Sequence, residues 1–549
     1  MNQPRPELTC LDLFCGCGGF TLGMLRAGFR CLAAIDFNPA AVATLQKNLV
    51  EEFHPDFAPV SRSLEKDLTK YGPAELSELI GVSHVDVIVG GPPCQGFSTV
   101  RQRDGANSGP RMIEDKRRYL YEEFLRYVDF FRPKLFVMEN VLGIKSAAGG
   151  KYFTRVQKEA RAMGYRVHPQ VEKAFDLGVP QKRQRQLIIG TRLDFPQYFP
   201  SELKPAPRAV EWPTLGEAIC DLPPVRAGGG EEEADYDMER RKAHIAKYGR
   251  RYLYETLEVL RAQKLTAHRA RPHSERDLRD FARLREGEHC AEAMKRGEKF
   301  EFPYDKETFK DRYTRQHRNE ACSTIVAHLS KDGLMFVHPT QSRSLTPREA
   351  ARIQSFPDWF EFPVARTHQF RVIGNAVPPL VAEAIGLTAK SYLEKTMEAK
   401  KYVRFGLEPL PSDQQEAVEW LLELVRAADN KTLHQLPADE FKRGWYSIGF
   451  LYPGLHPDSA LEHGMELSSE ADDFPEISKV EPRLLAPYYV DSGWPVLLAP
   501  VADEAWRRYE ADELKDDEFY CSEAVVAGMC CRNPDLVEEV RVERECLTS

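Results

Sequence analysis

The strongest constraint in the chain is a pattern that repeats. In LTCLDLFCGCGGFTLGMLRAGF an apolar run, Leu8–Phe14, breaks into a turn holding Gly16, Gly18 and Gly19, and helical spacing follows from Phe20 to Ala27. CLAAIDFNPAAVATLQKNL does the same: a strand ends at Asp36, then Asn38 and Pro39 open a helix. VDVIVGG, PKLFVMEN and RQLIIG read as further strands, the first two separated by the helical RRYLYEEFLRYVDFF. Short apolar strands alternating with helices predict an α/β fold, a doubly wound, mainly parallel sheet.

Such a sheet places its chemistry at the carboxyl ends of its strands. VDVIVGGPPCQGFS is the sharpest example. Val85, Val87, Ile88 and Val89 run into Gly90-Gly91-Pro92-Pro93, whose prolines lack ladder donors, so the strand stops and Cys94 follows at its end. An isolated cysteine is more often a small core residue, so the neighbours have to decide. Glu139 ends another apolar strand in FVMENV, where burial suits a carboxyl group that donates a proton, although helix capping is the ordinary alternative. In QKRQRQLIIG, Arg183 and Arg185 alternate into a strand and so share a face. Two guanidiniums converging there suit a phosphate or a polar base edge, while solvated surface charge is the commoner use. The glycine turn lets a ligand approach the backbone, and Asp36, 17 residues after Gly19, can accept from both hydroxyls of a ribose. That implies a nucleoside-bearing cofactor without separating NAD from S-adenosylmethionine.

Length and charge divide the chain. At 549 residues it exceeds one ordinary domain, and 42% hydrophobic residues suffice for sizeable cores. No apolar run approaches the roughly 20 residues of a membrane span, and MNQPRPELTC has no signal-peptide core, so a cytoplasmic protein with no membrane partner is expected. Twelve cysteines lack paired CxxC spacing, which predicts reduced thiols and no metal site. Residues 401–549 hold 14 Lys and Arg against 31 Asp and Glu, while the rest holds 61 against 53. A mildly basic body with an acidic appendage fits a body that meets a polyanion. Between them, RAGGGEEEADYDMERR reads as a mobile polar insertion, and residues 261–285 carry eight Lys and Arg against three Asp and Glu.

Taken in order, DxFxGxGG (12–19), GGPPCQGFS (90–98), ENV (139–141), QxRxR (181–185), RSLTPREAARIQSFPDWF (343–360) and GNAVPPL (374–380) resemble the cytosine-5 DNA methyltransferases, over roughly 8–190 and 320–395. The resemblance implies an S-adenosylmethionine-dependent enzyme of the bacterial restriction-modification or phage-defence type. It divides the chain into a catalytic domain (1–190 and 343–398), a target-recognition region (191–342) and an acidic C-terminal domain (399–549) of unknown role. Cys94 would add to carbon 6 of a flipped-out cytosine, Glu139 would serve the ring nitrogen, and Arg185, with Arg183 close by, would hold the base's oxygen. Phe14, Gly16, Gly18, Asp36, Asp67, Pro93, Asn375 and Val377 would line the cofactor pocket. Gln95, Ser98, Arg101 and Arg103 on a closing loop, with Arg269 and Arg271 in the basic segment, would touch double-stranded DNA. Whether those arginines read guanine edges or phosphates is open at this point. The acidic region would dock a protein partner or restrain DNA access, with the enzyme acting on the nucleoid. Two alternatives stand beside this reading. One is a transfer-RNA cytosine-5 methyltransferase, disfavoured by some 150 residues between QxRxR and RSLTP; the other is a non-catalytic DNA-binding paralogue, disfavoured by intact Cys94, Glu139 and Arg185.

Overall fold

The computed structural model describes residues 7–93, 119–192, 199–302 and 313–398. Seven strands form one mixed, mostly parallel sheet: β1 (Thr9–Leu13), β2 (Arg30–Asp36), β3 (Ser63–Glu65), β4 (Val87–Gly90), β5 (Leu135–Asn140), β6 (Tyr165–Lys173) and β7 (Gln184–Arg192). Their order is β3-β2-β1-β4-β5-β7-β6, and the ladders β2–β3, β1–β2, β1–β4 and β4–β5 are parallel. The chain winds outward from β1 to one side through β3, then returns to its other side with β4. That reversal lies between β1 and β4, where open α/β sheets hold their ligands. In register, Leu13 stands beside Gly90 and Gly90 beside Met138, so the ends of β1, β4 and β5 are level.

The inner strands are buried on both faces, Val87, Ile88 and Val89 fully so, which explains their unbroken apolar sequence. Between β4 and β5, the helix Leu120–Phe131 buries Tyr121, Phe124, Leu125, Val128 and Phe131 and leaves Glu122 and Glu123 in its first turn. The stretch 366–394 contains an 18-residue window apolar enough to cross a bilayer, but 78% of that window is buried, so its apolar surface serves the protein's own core.

Residue contacts divide the chain into two units: 1–153 with 169–189 and 200–390, and 154–168 with 190–199 and 391–549. Within the smaller, His168 Nε2 lies 3.0 Å from the Thr191 hydroxyl and the Phe199 and Tyr392 rings pack 5.6 Å apart. Within the larger, a second small core gathers Phe281, Cys290, Phe300, Phe302, Tyr313 and Val337.

The segment RAGGGEEEADYDMERR departs from the mobile insertion its polarity suggests. Glu233–Ala234 pairs antiparallel with Leu265–Thr266, and the Tyr236 hydroxyl donates to Asp358 at 2.8 Å. The helix Pro347–Ile353 is the anchor. Thr346 and Glu349 cap it reciprocally, and Arg343 grips Glu349 with two bonds of 2.7 and 2.8 Å. Arg348 donates to the Thr266 and Phe360 carbonyls, and Arg352 reaches Asp221 at 2.5 Å and Asp358 at 2.7 Å. All three arginines are fully buried.

Candidate active site

The two glycines ahead of the prolines exist because other groups pass over them. A Cβ on Gly90 would stand 2.2 Å from the Leu13 carbonyl oxygen, and one on Gly91 would stand 3.2 Å from Glu139 Oε2. The Asn140 side chain then donates to the Pro92 carbonyl at 3.2 Å, tying the turn to the end of β5. Pro93, half-exposed, closes the described part of this turn. Cys94, Gln95, Ser98, Arg101 and Arg103 lie outside the described residues.

Glu139 leaves β5 toward Arg185 on the neighbouring β7. Arg185 Nε lies 2.8 Å from Glu139 Oε1, with both side chains mostly covered, at 17% and 12% exposure. The contact is an ion pair without aligned hydrogen bonding: Oε1 is buried and has no hydrogen-bond partner. A covered carboxylate oxygen in that condition is available to a ligand's N–H.

Arg183 is a correction to the expected pair of converging guanidiniums. It is 2% exposed and donates to the carbonyls of Ile325 and Ala376, each at 3.0 Å. Alternation along the strand does not bring it beside Arg185 in role. It holds two distant chain segments together, with its guanidinium facing protein carbonyls. Gln181 does similar work, accepting from Ile325 N at 3.1 Å and donating to the Ile353 carbonyl at 3.2 Å.

Beside this pair, the end of β1 forms a cradle. Phe14, Gly16 and Gly18 all take positive φ, at 58°, 55° and 92°. No atom stands within 4 Å of where a Gly16 Cβ would be, so the turn opens onto free space there, whereas a Gly18 Cβ would strike Leu49 at 2.9 Å. Gly16 N–H donates to Asp36 at 2.9 Å, and Asn38 N–H donates to its other oxygen at 2.8 Å. Burial raises the Asp36 pKa above its ordinary value, and these two donors oppose the rise. Val377 presses its carbonyl against Gly19, 2.2 Å from where a Cβ would lie, while Asn375 is exposed at the end of its helix. Asp67 is exposed and caps its own turn, accepting from the Thr69 amide at 3.0 Å and hydroxyl at 2.8 Å; the hydroxyl bond chiefly holds its pKa low.

Two further residues, Phe37 and Asp12, stand beside the cradle. Phe37, directly after Asp36, is 62% exposed, an unusual position for a phenyl ring beside a glycine turn. Asp12, buried in β1, accepts from Thr21 at 2.5 Å, and burial pushes its pKa up to about 7. The thiols of Cys15 and Cys17 are raised by burial, Cys17 to about 12, so neither supplies a thiolate near neutrality. No cluster able to hold a metal ion occurs among the described residues.

The family model for C-5 cytosine-specific DNA methylase matches residues 8–391. The chain belongs to that family. It is a DNA cytosine-5 methyltransferase. Type II methyltransferase M.DdeI of Desulfomicrobium norvegicum is 35% identical to it over 408 residues, 70% of this chain and 89% of that one. Type II methyltransferase M.AgeI of Thalassovita gelatinovora is 33% identical over 444 residues, covering 69% and 98%. A solved DNA modification methyltransferase encoded within an E. coli prophage superposes with a TM-score of 0.54 at 28% identity, covering 71% of the methylase and all of that chain.

The arginines expected to meet DNA divide as the QxRxR pair does. Arg269 is exposed, whereas Arg271 is half-buried and donates to the carbonyls of Leu329 and Ser330, both at 2.9 Å, and to that of Lys331. Arg271 therefore fastens the turn Ala327–Ser330 and has little of its fork left for a base edge.

Proposed function

We propose that this methylase transfers a methyl group from S-adenosylmethionine to carbon 5 of a flipped-out cytosine in a specific DNA sequence, as the modification enzyme of a bacterial restriction-modification or phage-defence system. The observation that carries the mechanism is Glu139: a covered carboxylate with an unmatched oxygen, facing Arg185 and lying over Gly91, three residues before Cys94.

The residues of the cradle fit the cofactor. Asp36 would hold its ribose, Phe14, Gly16 and Gly18 its methionine part, and Asp67 the adenine amino group, with Pro93, Asn375 and Val377 bordering the pocket. The exposed Phe37 ring offers an apolar face for the purine. Bound there, S-adenosylmethionine supplies an electrophilic methyl carbon on a sulfonium.

Carbon 5 of cytosine is a poor nucleophile until the ring is saturated across carbons 5 and 6. The Cys94 thiolate adds to carbon 6, breaking the 5,6 double bond and leaving an enamine-like carbon 5. Glu139 holds or protonates the ring nitrogen, so the adduct carries no full negative charge. Arg185 donates to the base's oxygen, with its guanidinium braced by Glu139. Once carbon 5 carries the methyl group, loss of its proton restores the double bond and releases the cysteine. Extruding the base costs a few kcal/mol, and the loop bearing Gln95, Ser98, Arg101 and Arg103 is assigned to that step.

Residues 1–190 with 343–398 are the catalytic domain in this reading, and 191–342 the target-recognition region with Arg269. The acidic segment 399–549 is assigned to docking a protein partner or restraining DNA access. DNA as substrate places the enzyme in the cytoplasm on the nucleoid. The test is a methylome: wild type and Cys94→Ser expressed in a host lacking cytosine methylation. Methylation confined to one short motif, and lost in the variant, is expected. Soluble wild type that leaves DNA unmodified would count against the reading and favour an RNA substrate.

A further inference from the structure

Many arginines in the 260–320 stretch already have a carboxylate. Arg261 pairs with Glu258, Arg279 and Arg283 with Glu301, Arg296 with Glu288, and Arg318 with Glu286. Around residues 269–271 the pattern inverts. Arg226, Arg269, Arg366 and Arg371 make no ion pair with any described residue, although Glu231, Glu232 and Glu233 stand exposed in the same hairpin. Glu232 instead accepts from Gln369 and only partly offsets the lowering of the Arg366 pKa.

The backbone brings these arginines together. Gly228 N–H donates to the Arg271 carbonyl at 2.9 Å and Ala270 N–H to that of Gly229 at 2.8 Å, which lays the turn bearing Arg226 along Arg269–Arg271. Arg366 opens the helix Arg366–Asn375 and donates to the Ala270 carbonyl at 3.0 Å. Burial first, and then the charge of Arg269, hold the Arg366 guanidinium below its ordinary pKa. Down the same helix, Thr367, Arg371 and Asn375 are exposed while Phe370, Val372 and Ile373 are buried, so a polar stripe runs at four-residue spacing. That helix ends at Ala376, whose carbonyl Arg183 holds.

We propose that Arg226, Arg269 and Arg366 form a clamp for the DNA sugar-phosphate backbone, and that Arg371 continues it toward the active-site edge. The proposal rests on the reading of this chain as a DNA methylase and assigns contacts within it. Phosphate suits these groups better than guanine. A guanidinium reads guanine with two parallel donors, and Arg366 has already committed one of its donors to Ala270. Scattered single donors of like charge match a row of phosphate oxygens.

The experiment uses the full-length protein and a fluorescent 30-base-pair duplex of arbitrary sequence, titrated across a series of KCl concentrations. Each phosphate contact removed should lower the slope of log K against log salt by about 0.9. The triple variant Arg226→Gln, Arg269→Gln, Arg366→Gln is expected to lower it by about 2.7, and Arg269→Gln or Arg371→Gln alone by about 0.9. Because Arg269 and Arg371 are exposed, those single variants should melt as wild type does, which keeps the test independent of folding. Phosphate-ethylation interference should map a wild-type backbone contact flanking the methylated cytosine, and Arg366→Gln should erase it. An unchanged slope in the single variants overturns the clamp. So does a relaxed methylation motif, which would put these arginines on base edges. Wild type that binds the duplex with a steep slope but methylates nothing would sink the methylase reading and leave the clamp standing.

Discussion

Around the helix Pro347–Ile353, Arg352 engages Asp221 and Asp358, and none of the three side chains reaches solvent. At the ends of β5 and β7, Arg185 lies just as close to Glu139, but both remain partly open and one carboxylate oxygen has no aligned donor. The same residue types therefore do two jobs, and satisfaction separates them. The anchor's charges answer one another, which fixes how residues 214–266 sit against the motif helix. The pair at the sheet edge is left incomplete, and an incomplete polar group under cover is what a substrate can finish.

Substitution should split the two regions cleanly. Glu139→Gln keeps the size and removes the acid, so methylation should fall by about 10²- to 10⁴-fold. The melting temperature should stay close to wild type, because Glu139 leaves an oxygen unmatched in the resting protein. Arg352→Ala does the reverse. It strands two buried carboxylates, which costs about 3–5 kcal/mol, and urea unfolding should show most of that loss. Replacing Arg352, Asp221 and Asp358 together with apolar residues of similar volume should recover much of it. Equal stability losses at both sites would erase the distinction drawn here.

The division also explains what the sequence could tell. The apolar runs at Val87–Val89 and Leu135–Met138, and the glycines and prolines after them, are local signals, so the sheet and the Gly90–Pro93 corner were legible. Arg183 and Arg185 look alike two residues apart, and what separates them is a pair of carbonyls 142 and 193 positions away. Long-range partners of that kind leave no local trace. The hairpin at Glu233–Ala234 was hidden for the same reason: its composition is polar, but Tyr236 reaches Asp358, 122 positions on. Phe37 carried a different signal, an aromatic directly after the strand-ending carboxylate Asp36, which only its exposure makes conspicuous.

The cradle offers a finer cut between space kept for a ligand and space closed by the protein. Gly16→Ala puts a methyl group where no protein atom lies within 4 Å, at a φ of 55° that costs a residue with a Cβ about 1–2 kcal/mol. Cofactor binding, read by calorimetry with S-adenosylhomocysteine, should weaken several-fold beyond what the small stability loss explains. Gly19→Ala instead drives a Cβ onto the Val377 carbonyl, and its loss should be chiefly in folding. If Gly16→Ala binds as tightly as wild type, the open space is not the cofactor's.

Acid should loosen the anchor through its buried histidines. His338 receives the Thr340 and Gln341 amides on Nδ1 at 3.1 and 3.2 Å, and His273 receives the Ser344 amide on Nε2 at 3.2 Å, so each needs an unprotonated nitrogen. Burial pushes His338 down to about 3 and His273 to about 4. The unfolded chain takes up these protons near pH 6.5, while the folded chain does not until far lower. Over that window the unfolded state binds more protons, so stability falls as pH drops from about 6.5 toward 4. Glu349, held low beside Arg343 despite its burial, has the same sign, but its loss begins only below the ordinary carboxylate range. Urea midpoints between pH 7 and pH 5 therefore keep Glu349 out of the comparison. Asp12 and Glu172, both raised to about 7 by burial, bind protons there in the folded chain and oppose that loss, so the histidine share is read as a difference: His273→Gln, weaker at pH 7, should lose less than wild type, or gain more, as pH falls to 5. A His273→Gln profile parallel to wild type from pH 7 to pH 5 would mean that this ring takes up its proton in the folded protein as readily as in the unfolded chain. The anchor would then tolerate the unmatched charge that only the active-site edge is built to carry.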